Sequence, residues 1–328
     1  MMTAPVQTFR ERMEDKQSVF KTEVLGIKQM GLWKGTAYPH VLPEDAWSLN
    51  LWREISYDAI RHFAQSEISW QGNKHNMLSS QIMCANVFFP MREHLNILHS
   101  WLQSCQFDVG EVVDLSFEYT SPKNYLNEKG DRGQPLPGAN IAIKWTDLAR
   151  RKNLLLLDFR FAEPDLGVCP QENNPDPKRC FASKKIISSH KGQCYKSQLG
   201  RKYWDISLSA DSPLWKESLA AERYCPFRYD FFRLMRGQLI AHSMQSDKKS
   251  GFDKVEFGIM YHAGNEDLLR MSHPYSSEYN PLKAWPNLLH KPENFCALTV
   301  QDFLKTIEPL LPFEMTKWRE YLNQRYGV

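Results

Sequence analysis

The chain has 328 residues, of which 42% are hydrophobic, 12% aromatic and 24% charged, proportions that exclude a disordered, collagenous or coiled-coil chain. Its 41 basic and 38 acidic side chains give a formal charge of +3. That balance does not announce a nucleic-acid binder, although a basic groove offset by acid elsewhere gives the same total. No apolar run of about 18 residues occurs, so no membrane-spanning helix is expected. The N-terminal MMTAPVQTFRERMEDKQ lacks the apolar core of a secretory signal. The seven cysteines, an odd number, therefore read as reduced thiols or metal ligands in a cytoplasmic protein.

Residues 1–40 show few caps and little periodicity and read as a partly ordered N-terminal arm, leaving 41–328 as one domain. Trp47, Leu51, Ile55, Ala59 and Phe63 recur every four residues and predict a helix over about 44–65. Further helices are predicted over about 78–88 and 90–106, the latter with Leu95, Leu98 and Leu102 on one face. The period then shortens to two in VDLSFEY (113–119), a half-buried strand. A Gly-, Pro- and Asn-rich loop over 121–138 leads to strands at 141–145 and 154–161. The unbroken apolar start of the second, LLLL, marks a central strand buried on both faces. A Cys-rich insertion covers about 164–225. A helix over 229–244, a strand over 255–261 and helices over 299–310 and 314–326 complete an α/β chain: a central mixed sheet flanked by helices.

The chemistry concentrates at the end of the central strand. Side chains alternate faces along a strand, so Asp158 and Arg160 share one face while Phe159 and Phe161 point into packing. A carboxylate beside a cation suits phosphodiester cleavage: the carboxylate holds a divalent ion and the cation neutralises developing charge. A second carboxylate is needed from a neighbouring strand or turn. Asp147, at the end of the preceding strand, is the candidate, with Glu118 as a third oxygen donor. Oxygen ligands suit Mg²⁺ or Mn²⁺. For each of these residues an ordinary structural role stands beside the catalytic one: a strand-end ion pair for Asp158 and Arg160, a solvated strand face for Glu118, a turn or N-cap for Asp147.

Four cysteines, Cys169, Cys180, Cys194 and Cys225, are spread through the insertion and the start of the next helix. The spacing is not that of a common zinc finger, but a metal clip would order a segment with little hydrophobic periodicity. Four thiolates hold either structural Zn²⁺ or an iron–sulfur cluster; the alternative is free buried cysteines. The polar turn at Asn73–Asn76 precedes a helix carrying Gln81, which makes Lys74 a phosphate-contacting candidate and Gln81 an active-site one. Arg233 and Arg236, three apart on one helix, are placed to track a nucleic-acid backbone or to form a solvated face. No P-loop, Rossmann fingerprint, nucleophile elbow or H-E-x-x-H pair is present.

The combination of WQGNKHNMLSSQIMCANVFFP (70–90), FEY (117–119), GAN (138–140), LLLLDFRFAEPD (154–165), the spaced cysteines and CPFRYDFFRLMRGQLIA (225–241) resembles the PD-(D/E)XK nuclease superfamily. More narrowly it resembles a bacterial family of restriction-endonuclease-like proteins, largely predicted nucleases. The resemblance spans about residues 44–326 and departs from the family in having Asp158-x-Arg160 for Glu-x-Lys; arginine cannot shuttle a proton as lysine can. It implies a restriction-endonuclease-like core and a Mg²⁺-dependent DNA endonuclease in host defence or a mobile element. Asp147 and Asp158 would hold the metal, with Glu118 and Gln81 assisting and Arg160 steadying charge. The alternative is a degenerate relative that binds nucleic acid or a protein partner. A homodimer or a site completed by a partner is left open.

Overall fold

The computed structural model describes residues 7–128, 136, 138–170, 194–221, 225–270 and 279–328. The N-terminal segment is not an arm but part of the body. Thr8 and Glu11 form a reciprocal capping box that starts helix α1 (Phe9–Val19), and a π-helical turn (Phe20–Val24) continues it. Phe9 packs against Phe161 and His262, with ring centroids 6.2 and 4.8 Å away, and Gln17 Nε2 donates to the Arg325 carbonyl at 2.8 Å. Only Phe9, Gln17, Phe20 and Lys21 of this stretch are buried, too narrow a stripe to show as periodicity. A small hairpin follows, β1 (Gly31–Trp33) with β2 (Thr36–Tyr38).

The predicted 44–65 helix is two elements, a 3₁₀ helix (Glu44–Asn50) and α2 (Arg53–Gln65). Between them the Trp52 N–H donates to Asn86 Oδ1 at 2.7 Å, which turns the chain without a break in the apolar stripe. Ser79 caps α3 (Ser80–Phe88), which is buried along its whole length. A 3₁₀ turn (Pro90–Glu93) precedes α4 (Leu95–Ser104).

The central sheet has five strands in the order β3-β4-β5-β6-β7: Glu111–Tyr119, Ala139–Thr146, Lys152–Arg160, Lys254–Tyr261 and Phe295–Thr299. β3, β4 and β5 form an antiparallel meander, and β6 and β7 join in parallel. β5 is the central strand, buried along nearly its whole length. Its side chains divide the core. Leu155, Leu157 and Phe159 join α2–α4 and the C-terminal helices on one face, whereas Leu154 and Leu156 join the Phe231–Ser246 helix on the other. That helix supplies the β5–β6 crossover and lies close on the sheet: a Cβ on Gly237 would stand 2.2 Å from the Phe257 ring. Edge strand β7 went unread because only Phe295 of its five residues is buried. Helices Val300–Ile307 and Thr316–Tyr326 close the first face, as their apolar stripes predict. The fold is the expected α/β architecture, a mixed sheet flanked by helices, a restriction-endonuclease-like core. Among the described residues no helix is long and apolar enough to cross a membrane.

Candidate functional site

The register of the meander decides which polar groups meet. β4 and β5 are a hairpin, so Leu157 opposes Ile141, and Ile141 in turn opposes Phe117 of β3. One step toward the open end, on the opposite face, the row reads Glu118, Asn140, Asp158. Asn140 Nδ2 donates to Glu118 Oε1 at 2.9 Å, while its Oδ1 accepts the Phe159 N–H at 2.8 Å. The Phe159 amide therefore fixes which end of Asn140 faces the row, and that end is a donor. Glu118 has φ of 43°, a left-handed conformation that costs about 1–2 kcal/mol for a side chain with a Cβ. Burial pushes its carboxyl above the usual range and nearby Asp158 adds to the push, against hydrogen bonds from Asn140 and Gln81.

Asp158 is 1% exposed and held by two arginines. Arg160 Nη2 donates to Oδ2 at 2.7 Å; Arg233 donates to Oδ2 through Nε at 3.0 Å and to Oδ1 through Nη2 at 2.9 Å. Burial alone would raise this carboxyl, but the Arg160 and Arg233 guanidiniums outweigh it and hold Asp158 well below the carboxylate range. Arg233 is raised correspondingly by Asp158. It lies in the first turn of the Phe231–Ser246 helix, whose apolar face against β6 brings that turn over the end of β5.

A cleft of about 460 Å³ opens over this clamp. Arg160, Arg233, Arg236, Lys196 and Arg201 line it, with Glu128 the only carboxylate of the lining among the described residues. Arg236 makes a buried bidentate pair with Glu128, at 2.7 Å through Nε and 2.6 Å through Nη2, and Tyr203 Oη donates to the same carboxylate at 2.7 Å. Arg233 and Arg236 are thus not a solvated face: each is anchored to a buried acid and borders the cleft.

The other sequence candidates are distributed as follows. Gln81 is buried on α3, where Oε1 accepts the Gln71 N–H at 2.7 Å and Nε2 donates to the Ser69 carbonyl at 3.2 Å. It therefore positions the 69–71 turn and Glu118. Lys74 lies over the Trp47 ring, 4.6 Å from its centroid, and does not line the cleft. Asp147 is a correction: it sits in the β4–β5 turn, accepting from the Arg151 N–H and Nε at 2.8 and 2.7 Å. In a hairpin the end of β4 meets the start of β5, so Asp147 is seven residues, roughly 23 Å of strand, from the row that contains Asp158. Asn140 takes that neighbouring position. Counting out from the turn centre near Ala149 pairs 140 with 158, a signal the sequence contains. Nothing local in the sequence marks Glu128, Lys196 or Arg201.

Cys169, Cys194 and Cys225 line one apolar cavity next to the cleft, with Trp204 and Phe227 in its wall. Cys180 and most of the Cys-rich insertion lie outside the described residues. Among the described residues no three His, Cys, Asp or Glu side chains stand close enough to hold a metal ion. The Glu118–Asn140–Asp158 row likewise does not fit a divalent cation as it stands. Both oxygens of Asp158 are engaged by guanidiniums, two fixed positive charges sit where the ion would sit, and Asn140 presents a donor.

A sequence model of the family described as "Restriction Endonuclease associating with ARP" matches residues 13–327. Neither the curated proteins nor the solved structures include a significant match to the chain. The matched region contains all five strands of the sheet, the Glu118–Asn140–Asp158 row and both arginines of the clamp. The chain belongs to the family of restriction endonucleases associating with ARP.

Proposed function

We propose that this chain is an endonuclease acting on nucleic acid, DNA in the first place, with the sugar-phosphate backbone in the cationic cleft and the scissile phosphate at the Glu118–Asn140–Asp158 row. The observation that carries the reading is the cleft: five cationic side chains line it, two of which, Arg160 and Arg233, also hold Asp158, in a chain whose total charge is nearly balanced. Guanidinium forks match phosphate oxygens in geometry and charge. Arg160 and Arg233 are placed to meet the scissile phosphate, and Lys196 and Arg201 the flanking ones, a backbone contact that is sequence-independent and salt-sensitive. Glu118, positioned by hydrogen bonds from Asn140 and Gln81, is the carboxylate that would accept a proton from an attacking water. Its burial makes it a stronger base than an exposed glutamate.

Mg²⁺ dependence belongs to this proposal, since a divalent ion supplies charge neutralisation and a more acidic water. The donor set described above does not fit one in its resting arrangement, and no step here passes through it. A setting in host defence or a mobile element, and the association with ARP that the family description names, are proposals on family grounds. So is a thiol-bound metal, zinc or an iron–sulfur cluster, at the cysteine cavity. Stoichiometric zinc, or iron with visible absorbance, in the purified protein would support it, and a metal-free sample would remove it.

The test is supercoiled plasmid with Mg²⁺ or Mn²⁺, wild type beside Asp158→Ala, together with duplex binding titrated against salt. Cutting that disappears in the variant supports the endonuclease. Salt-dependent binding with no cutting under either ion supports a second reading, a member that binds nucleic acid without hydrolysing it. The engaged oxygens of Asp158 and the amide of Asn140 favour that reading.

A further inference from the structure

We infer that the strand taken by this cleft is unpaired, so that one nucleotide brings its phosphate to the arginines and its base to the apolar wall of the same cleft. The inference rests on the reading of the cleft as a nucleic-acid site and narrows its substrate to an unpaired stretch of DNA. The five cations are only part of the lining. Leu136 and Val168 line the cleft too, and they are 43% and 47% exposed, two large apolar side chains left open to solvent beside arginines. Tyr203 and Phe232 also line it, their ring centroids 5.6 Å apart and their planes nearly perpendicular at 88°. The Tyr203 hydroxyl donates to Glu128, the carboxylate that Arg236 forks, so the ring is held in place before any ligand arrives.

A duplex leaves such a wall without a partner. It turns its phosphates outward and keeps its bases stacked and paired inside, so only the cations would touch it. An unpaired strand presents phosphate and base together, and a cationic groove interleaved with aromatic side chains is how proteins hold single strands. Size points the same way. A space of about 460 Å³ is roughly 8 Å on an edge, against about 12 Å for the major groove of B-DNA alone, so it admits a strand and not a double helix. Arg160, placed to meet the phosphate, is 13% exposed by side chain, so it is reached from within the cleft rather than across an outer surface. Charge alone predicts the opposite preference, because a duplex carries its phosphates more densely than a single strand does.

The experiment measures binding by fluorescence anisotropy on the full chain, without added divalent ions, using a labelled mixed-sequence DNA oligonucleotide and the blunt duplex of the same sequence. Wild type is expected to bind the single strand about tenfold more tightly than the duplex at the same salt. Phe232→Leu, which keeps an apolar side chain but loses the ring, is expected to weaken the single strand about tenfold and to leave duplex affinity unchanged. Should Phe232→Leu not fold, Val168→Ser, at an exposed position, makes the same comparison. Lys196→Ala is expected to weaken the single strand as well, since its charge lines the same cleft. A duplex bound as tightly as the strand overturns the inference. So does an equal loss of both forms in the Phe232 and Val168 variants, or a single strand that binds Lys196→Ala as it binds wild type. Failure of both forms to bind overturns the nucleic-acid reading itself.

Discussion

Replacing Asp158 by Asn and Arg233 by Met, singly and together, isolates the bond on which the centre is built. The Asp158 side chain is 2% exposed and, among the described residues, accepts two of its three hydrogen bonds from Arg233. Removing one partner of a buried ion pair costs about 3–5 kcal/mol, because the other is left uncompensated. Arg233→Met belongs at the lower end, about 3 kcal/mol, since Asp158 keeps Arg160 and Arg233 was partly solvated. Asp158→Asn strands two guanidiniums and is expected to cost at least as much. If the pair acts as a unit, the double variant costs far less than the two singles together, with a coupling of about 2 kcal/mol. Urea unfolding followed by tryptophan fluorescence measures all four proteins. The sign with pH follows from the lowered carboxyl of Asp158: its contribution is complete above the unfolded pKa of about 3.9 and is lost as pH falls toward the lower folded value. Wild type should therefore lose stability below about pH 4 more steeply than Asp158→Asn. Singles that add to within about 0.5 kcal/mol would refute the clamp as a stabilising unit.

Lys196 and Arg201 line the cleft and, among the described residues, neither bonds to a buried acid, although Arg201 donates to the Asn127 carbonyl; Lys196→Ala and Arg201→Ala are each expected to lower the slope of log affinity against log salt by about one, with the smaller loss of melting temperature in Lys196→Ala. Arg236→Met should behave in the opposite way, costing about 3–5 kcal/mol in thermal unfolding because it leaves Glu128 buried and unpaired by its fork. Asn140→Asp replaces a hydrogen bond to Glu118 by repulsion; it should destabilise the protein at pH 7 by about 1–3 kcal/mol, and mild acidification, which protonates one of the two carboxylates, should restore stability.

What the sequence reveals about this molecule follows the range of the interactions involved. The alternation of VDLSFEY and the LLLL run are local, and both strands are where they predict, as is the shared face of Asp158 and Arg160. The capping box of Thr8 and Glu11 is equally local and marks the start of α1, a helix whose few buried residues leave no apolar stripe in the sequence. The pairing of a second acid with Asp158 depends on register across a hairpin, and proximity along the chain pointed to Asp147 when antiparallel pairing brings up Asn140. Arg233 and Arg236 are neighbours on their helix as the spacing requires. A helical wheel does not show that the segments around Glu128 and Tyr203 cover that face and turn it into a cleft wall.

The centre is held by constraints of different kinds. Sheet pairing aligns Glu118, Asn140 and Asp158; the Phe159 amide then fixes the orientation of Asn140, and Asn140 fixes one oxygen of Glu118. Packing of the Phe231–Ser246 helix on β6 brings Arg233 to the same row. Three of these steps are backbone or buried hydrogen bonds with no exposed partner to compete. The last is an ion pair whose cation reaches the cleft. Arg160 and Arg233, which both line the cleft and both bond Asp158, are therefore the residues that join the cleft to the row on the sheet.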